Sequence, residues 1–234
     1  MSSQVQIEDL TIEVTRKSIK HAYLRVNGVG DVRLSAPKRM PQRELEAFAR
    51  SKLDWIRRQQ AKARSRPQPL RHKYASGEPF SIWGRTVHLG VVETEGKPSV
   101  ELKGAALRLA VRPGTTVAKR KALVEAWYRA QLEAAVPPLL ARWEPRLGVK
   151  LAKFSLRKMK TRWGSCSTKP RTMRLNTELA YLPPECLEYV VVHELVHLLE
   201  PSHNARFKAL MDRHLPGWRD IRKRLKDLSL GRTL

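Results

Sequence analysis

Acidic side chains, cysteines and long apolar runs are all scarce in this sequence of 234 residues. Its two cysteines, Cys166 and Cys186, are too few for a disulfide framework, which favours reduced thiols and a cytoplasmic location. No apolar stretch approaches the ~18 residues of a membrane-spanning helix. The first residues, MSSQVQIEDLTIEV, have neither the basic nor the apolar segment of a secretory signal peptide. We therefore expect a cytoplasmic protein with no membrane partner.

The shortage of acidic residues leaves a large positive charge. The chain has 22 Asp and Glu against 46 Lys and Arg, a formal net charge of +24. Between Arg142 and Arg174 there are eleven basic residues and one acid, and between Lys38 and Lys73 there are twelve and three. Such a field attracts polyanions, so non-specific nucleic acid is one candidate partner. The alternative is a solvated basic surface, because no zinc-finger, helix-turn-helix or RNA-recognition signature accompanies the charge.

The first half of the chain alternates apolar and polar residues, which is typical of β-strands. We predict a β-rich N-terminal region with one helix, over residues 1–115. Its predicted elements are a hairpin over 5–36 with a turn at Asn27-Gly28, a helix from Pro41 to about Arg64, and strands over 80–93 and 99–111.

The second half is predicted to be a separate α+β domain over residues 116–234. Helices dominate its pattern, with one pair of strands joined by a Lys-Pro-Arg turn. Its predicted elements are a helix over 117–147 with a kink or break at Pro137-Pro138, a hairpin from strands over 153–168 and 172–183, a helix opened by Pro183-Pro184, and short helices over 204–214 and 218–228.

Two histidines and a glutamate interrupt the apolar run YVVVHELVHLLEPSH, residues 189–203. His193 and His197 are four residues apart, a spacing that puts both imidazoles on one face of a helix within reach of one ion. Glu194 completes H-E-x-x-H, in which the glutamate acts on a metal-bound water. Unpaired polar groups on a buried helix are costly, so a metal explains them better than a structural core role.

A third ligand decides whether such a site is catalytic, since catalytic zinc usually has three protein ligands and an open position. His203 follows His197 by six residues, the interval of H-E-x-x-H-x-x-G-x-x-H. Glu200 stands where that pattern has glycine, but Pro201 disfavours helical backbone at the residue before it. We therefore expect the helix to end at Glu200, with His203 turned back to the ion and Glu200 turned outward.

At these residues the chain resembles the YgjP-like zinc metallopeptidases, a family related to the SprT-like proteases. The resemblance implies a zincin-like domain with an active-site helix and a β-hairpin. It implies that His193, His197 and His203 bind zinc and that Glu194 is the general base. The matching segments are TRWGSCS at 161–167, RLN at 174–176, YVVVHELVHLLEPSH at 189–203, ARF at 205–207, and the N-terminal segments VRLSAP and WIRRQQAK.

The function that follows is a zinc metallopeptidase that hydrolyses peptide bonds of peptide or protein substrates through a zinc-activated water. Two alternatives stay open. The first is a metal-dependent hydrolase of nucleotide pyrophosphate bonds, which the basic surface suits although the sequence has no P-loop. The second is a nucleic-acid-associated protein with a structural zinc, against which the open coordination position and Glu194 argue.

Three residues of the matching segments are weaker candidates for substrate binding. Arg162 is a candidate cation for the developing oxyanion. Gly164 would let backbone or substrate approach closely on a strand that can pair with an extended peptide. Asn176 is a candidate for hydrogen bonds near the site, with a strand-end role as its alternative. Cys166 is a weaker candidate still, for an inhibitory zinc ligand, and the favoured alternative is a small buried hydrophobic residue.

Overall fold

A computed structural model describes residues 2–27, 30–64 and 72–228, and these residues form an α+β fold, as predicted. The chain divides into two units, Met1–Arg71 and His72–Leu234. Each unit combines mixed β-sheet with α-helices. In the described ranges, no helix has both the length and the apolar character needed to cross a membrane.

The first unit is a four-stranded sheet covered by two helices. Its strand order is β1-β2-β4-β3, with β2 and β4 parallel and the outer pairs antiparallel. Ile7, Ile12 and Leu34 of the sheet share a hydrophobic core with Leu45 and Ile56 of the helices. The elements are β1 Ser2–Ile7, β2 Leu10–Lys17, β3 Tyr23–Val26, β4 Val32–Pro37, α1 Gln42–Arg50 and α2 Leu53–Arg64.

The sequence predicted one hairpin and one helix here, and the unit has two of each. The predicted hairpin corresponds to β3 and β4, while Gly28 of its turn lies outside the described residues. A second hairpin joins β1 to β2. The predicted single helix was wrong, because the helical run ends at Arg50 and resumes at Leu53. The Ser51 hydroxyl donates to the Phe48 carbonyl at 2.8 Å, a local contact that competes with continuation of the helix.

The second unit begins with another four-stranded sheet, in the order β5-β6-β8-β7, whose strand directions repeat those of the first unit. Leu107 and Leu109 of this sheet share one hydrophobic core with Val190 and Leu195. Residues on both sides of position 115 therefore pack together, and the predicted domain division there stays a prediction. The strands are β5 Pro79–Ile82, β6 Arg85–Glu93, β7 Ser99–Lys103 and β8 Ala106–Val111.

A 31-residue helix, α3 Val117–Leu147, follows the sheet with the predicted bounds. The Thr116 side chain accepts a hydrogen bond from the Lys119 amide at its start, and Gly148 ends it in the left-handed conformation. The helix continues through Pro137 and Pro138 without a break. Burial of one face from Val124 to Leu147 outweighs the two lost hydrogen bonds. Its buried residues are Val124, Tyr128, Leu132, Val136, Trp143, Glu144 and Leu147.

A three-stranded sheet and three helices complete the unit. The sheet order is β10-β11-β9, so β10 is an edge strand whose one pairing partner among the described strands is β11. The β10–β11 hairpin confirms the predicted turn, but the two predicted strands are shorter: the first divides into β9 and β10, and the second ends in a 3₁₀ helix. The elements are β9 Lys153–Arg157, β10 Gly164–Ser167, β11 Thr172–Asn176, the 3₁₀ helix Thr177–Tyr181, α4 Pro184–Val196, α5 Ala205–His214 and α6 Trp218–Leu228.

Candidate active site

Helix α4 is buried along most of its length. From Tyr189 to Val196 every side chain is buried, and all but two of them are apolar or aromatic. The two exceptions are His193 and Glu194, which are 4% and 3% exposed. Burial of ionisable side chains is costly unless they are bound to something. A ligand at this point of the helix would supply the reason for their burial.

Three imidazoles meet beside these residues. The candidate ligand atoms of His193, His197 and His203 lie within 4.8 Å of one another. The Nε2 atoms of His193 and His203 are 2.9 Å apart. In the described part of the chain, no other histidine, cysteine or carboxylate joins this group. The sequence-predicted ligands are therefore brought together as a set of three nitrogen donors, which suits a divalent metal with an open position.

The chain reaches His203 by a tight turn after α4. The helix ends at Val196 rather than at Glu200, so the predicted end was four residues too late. Two backbone hydrogen bonds of the shorter i+3 type, Leu198 to Leu195 and Leu199 to Val196, tighten the chain before Pro201. This turn reverses the backbone soon enough to bring His203 back towards the helix.

Glu200 supports the histidines without joining them. Its backbone carbonyl lies 3.1 Å from His197 Nδ1, a contact that uses this nitrogen as donor and leaves Nε2 as the free lone pair. Its carboxylate accepts a hydrogen bond from the Ser202 amide at 3.1 Å. The side chain is thus directed into its own loop and is absent from the metal-ligand group.

Phe207 is a residue of the site to which sequence reasoning gave no role. Its buried ring contacts all three imidazoles, with centroid separations of 4.9 Å to His193 and 4.8 Å to His197 and His203. Asn204 begins α5 and accepts a hydrogen bond from the Phe207 amide at 3.0 Å, which fixes the ring's position. The capping asparagine directly after His203 was the available signal for this arrangement.

The histidine group favours neutral imidazoles. Burial, followed by the charges of the neighbouring histidines and of Arg222, lowers the pKa of His193 to about 3. Burial also lowers the pKa of His197 and of His203. A neutral imidazole has the free lone pair that metal coordination requires.

Glu194 lies directly against the edge strand β10. A Cβ atom on Gly164 would stand 2.4 Å from Glu194 Oε1 and 2.8 Å from its Cγ. Only glycine leaves room for the carboxylate at this point. Burial raises the pKa of Glu194 to about 8, and the charge of Arg162 acts in the opposite direction. The close approach predicted for Gly164 is therefore an approach to the Glu194 side chain.

Of the other two substrate-binding candidates, Arg162 lies in the connection between β9 and β10, and Asn176 is the last residue of β11. Arg162 is exposed, and its charge acts on Glu194. Asn176 is fully buried, and its Nδ2 donates to the Met159 and Arg162 carbonyls at 2.8 and 2.9 Å. Asn176 thus fixes the backbone that carries Arg162. A direct substrate contact of either residue stays a prediction.

Cys166 is half-buried on β10. Burial, with a further contribution from the Glu194 carboxylate, raises the pKa of its thiol to about 11. Cys166 is absent from the histidine group. This arrangement agrees with the hydrophobic alternative for Cys166.

Comparison with known proteins gives one extended match. The family model described as "YgjP-like, metallopeptidase domain" matches residues 20–228. Two crystal structures of metallopeptidase zymogens are similar to part of the chain. Abylysin of Pyrococcus abyssi has 24% identity and a TM-score of 0.39, covering 42% of this chain and 99% of its own. Jannalysin of Methanocaldococcus jannaschii has 21% identity and a TM-score of 0.36, covering 40% of this chain and 88% of its own. None of the curated proteins matches the chain.

Proposed function

The chain belongs to the YgjP-like metallopeptidase family, and from this premise we propose that it is a zinc-dependent peptidase with Glu194 as its general base. The observation that carries the proposal is the group of three imidazoles beside a buried glutamate on α4. The proposed zinc ligands are His193, His197 and His203.

The donor set fits zinc in three respects. Its nitrogens belong to imidazoles whose pKa values are lowered by burial, so they are neutral at physiological pH. The Glu200 carbonyl accepts a hydrogen bond from Nδ1 of His197, which orients the ring and leaves its Nε2 for the metal. The set has three members, whereas structural zinc sites usually have four. These features favour a catalytic zinc over the structural zinc of the nucleic-acid alternative.

When bound here, zinc would lower the pKa of a coordinated water to roughly 7 and polarise the substrate carbonyl. Glu194 then accepts the proton of the attacking water and delivers it to the leaving amine. Burial raises the pKa of Glu194 above the ordinary range for a carboxylate, which helps the carboxylate to take the proton. The positive charges of Arg162 and of a bound zinc would act in the opposite direction and favour the ionised form from which Glu194 starts. The absence of a side chain at Gly164 leaves the space that the carboxylate occupies.

The edge strand β10 is the proposed place of the peptide substrate. Its residues Gly164–Ser167 pair with β11 on one side only. An extended peptide can pair with the free edge through backbone hydrogen bonds, which need no particular substrate side chain. Arg162, at the entrance to this strand, is the proposed cation for the developing oxyanion. Asn176 positions it by binding its backbone carbonyl.

Parallel assays separate peptide cleavage from nucleotide pyrophosphate hydrolysis. Zinc-loaded protein is incubated with a mixture of unstructured peptides and, separately, with nucleoside triphosphates. Mass spectrometry and phosphate release are the two readouts. We expect peptide cleavage that disappears when zinc is removed and returns when it is added back. Zinc-dependent phosphate release without peptide cleavage would instead support the nucleotide hydrolase.

Substitution of Gly164 by alanine tests the contact with Glu194. The new methyl group would overlap the carboxylate, so Glu194 must move and turnover should fall on the order of tenfold to a hundredfold. Zinc content should stay unchanged, because no histidine is affected. Ser165→Ala on the same strand is the matched control and should retain turnover. Wild-type turnover in Gly164→Ala would show that the position of Glu194 is not critical.

A further inference from the structure

The three-stranded sheet has one face that is not covered by apolar residues. Side chains on the two faces of a sheet alternate along each strand. Met173 and Leu175 of β11 and Leu156 of β9 are buried on the inner face. We call the opposite side the outer face, and its exposed or half-buried residues are Lys153, Ser155, Arg157, Ser165, Ser167, Thr172 and Arg174. Asn176, which alternation also places on this side, is fully buried at the end of β11.

The strand register arranges these side chains in rows across the sheet. Arg174 stands between Ser155 and Ser165 as its pairing partners on the two sides. Thr172 likewise stands between Lys153 and Ser167. Each row thus combines a cation with hydroxyl groups, which are the side chains that commonly bind phosphate oxygens.

The cations of the outer face form no ion pair with carboxylates of the described residues. From Pro145 to Thr177 the sequence has ten Lys and Arg and no Asp or Glu. Lys153, Arg157 and Arg174 are exposed, and no ion pair joins any of them to a carboxylate of the described residues. By contrast, neighbouring Lys150 and Lys158 pair with Glu144 and Glu125. The field of the outer face is therefore available to an external anion.

We propose that the outer face binds the sugar–phosphate backbone of a nucleic acid. Its three cations recur along and across the strands, so they suit a ligand whose charges also recur. A nucleic acid releases condensed counterions when cations replace them, which strengthens binding to such a surface. An ordinary acidic peptide lacks this dense charge. No aromatic side chain lies on the outer face, so recognition is by backbone and not by base stacking.

The outer face is separate from the proposed catalytic machinery although both use β10. Ser165 and Ser167 belong to the outer face, while Gly164 lies against Glu194 on the inner face. Loss of charge on the outer face should therefore leave the cleavage of short neutral peptides unchanged. Nucleic-acid binding and peptide cleavage can then be tested independently of each other.

The test compares two triple variants with the same change in charge. The first is Lys153→Gln, Arg157→Gln and Arg174→Gln. The control is Arg112→Gln, Lys119→Gln and Lys121→Gln. These substitutions remove three exposed cations, one directly after β8 and two near the start of α3. Fluorescence anisotropy with labelled DNA duplexes of two unrelated sequences is measured over a range of salt concentrations.

We expect wild type to bind both duplexes. In a plot of the logarithm of the binding constant against the logarithm of the salt concentration, the slope of the outer-face variant should be smaller in magnitude by about 2–3. Affinity should drop at least tenfold in that variant and much less in the control. Arg157→Lys with Arg174→Lys should retain binding, which guards against a misfolded glutamine variant. An equal loss in both triple variants, or no binding by wild type at low salt, would overturn the proposal. Equal competition by polyglutamate would indicate an acidic polypeptide instead.

Discussion

Replacement of Glu194 by glutamine is expected to reduce peptide hydrolysis by about a hundredfold or more while zinc stays bound. The amide has nearly the same shape as the carboxylate, so it fits the space that Gly164 leaves. It cannot accept the proton of the attacking water. Because burial disfavours the charged carboxylate, the neutral amide should not lower the melting temperature. Turnover, zinc content and thermal unfolding are measured on the same preparation.

The control for this variant is Glu185→Gln, the same substitution in the first turn of α4. Glu185 is paired with Arg224 at the protein surface and has no part in the proposed reaction. Its variant should have wild-type turnover. If Glu194→Gln also has wild-type turnover, general-base catalysis by Glu194 is wrong. If it loses zinc, Glu194 is required for the metal site and the roles must be assigned again.

Removal of one histidine should have the second large effect. It should weaken zinc binding and remove most of the stabilisation against unfolding that zinc gives. His197→Ala leaves two imidazoles of the three. A zinc ion that binds the folded chain and not the unfolded chain raises the free energy of unfolding by about 4 kcal/mol when the free zinc concentration is a thousand times its Kd. For wild type, added zinc should therefore raise the melting temperature on the order of 10 °C. The variant should show little of this rise and almost no peptide cleavage.

His214→Ala is the matched control, because His214 lies in the last turn of α5 and outside the ligand group. Its melting temperature should respond to zinc as wild type does. Metal-free wild type and metal-free His197→Ala are also compared, to separate lost zinc from lost packing. A full zinc response in His197→Ala would show that this residue is not a ligand.

The group of three histidines was predictable because its signals are local in the sequence. Helical spacing specifies that His193 and His197 share a face, and Pro201 indicates that the chain must turn before His203. The end of α4 was less predictable. Pro201 restricts only the residue before it, whereas the helix gives way at Val196 to shorter hydrogen bonds that depend on the following loop.

The surroundings of the ligand group were less accessible from sequence, since they depend on contacts between distant segments. Gly164 and Glu194 are thirty residues apart, and nothing local indicates that one makes space for the other. In the sequence pattern Phe207 is an ordinary apolar residue of a helix, and nothing local indicates its contacts with the three imidazoles.

The fold likewise has features that local sequence indicates and features that depend on contacts between distant segments. Alternation along the chain indicated where strands occur, but the predicted strands over 80–93 and 99–111 are each divided into two strands. Alternation also carries no information on which strands pair. The parallel pairs β2–β4 and β6–β8 therefore had no sequence signal. The prolines of α3 predicted a kink or a break, and the continuous helix excludes the break, because tertiary burial of Leu132 and Val136 sustains a helix that local propensity would end. A kink at these prolines stays a prediction.

Zinc-dependent peptide hydrolysis is tested by titrating zinc into metal-free protein while cleavage of an unstructured peptide is followed. We predict no cleavage without zinc, a cleavage rate that increases linearly as zinc is added, and a break in this increase at about one zinc per chain. Full cleavage by metal-free protein would contradict this prediction. So would a protein saturated with zinc that leaves every peptide intact and hydrolyses nucleoside triphosphates instead.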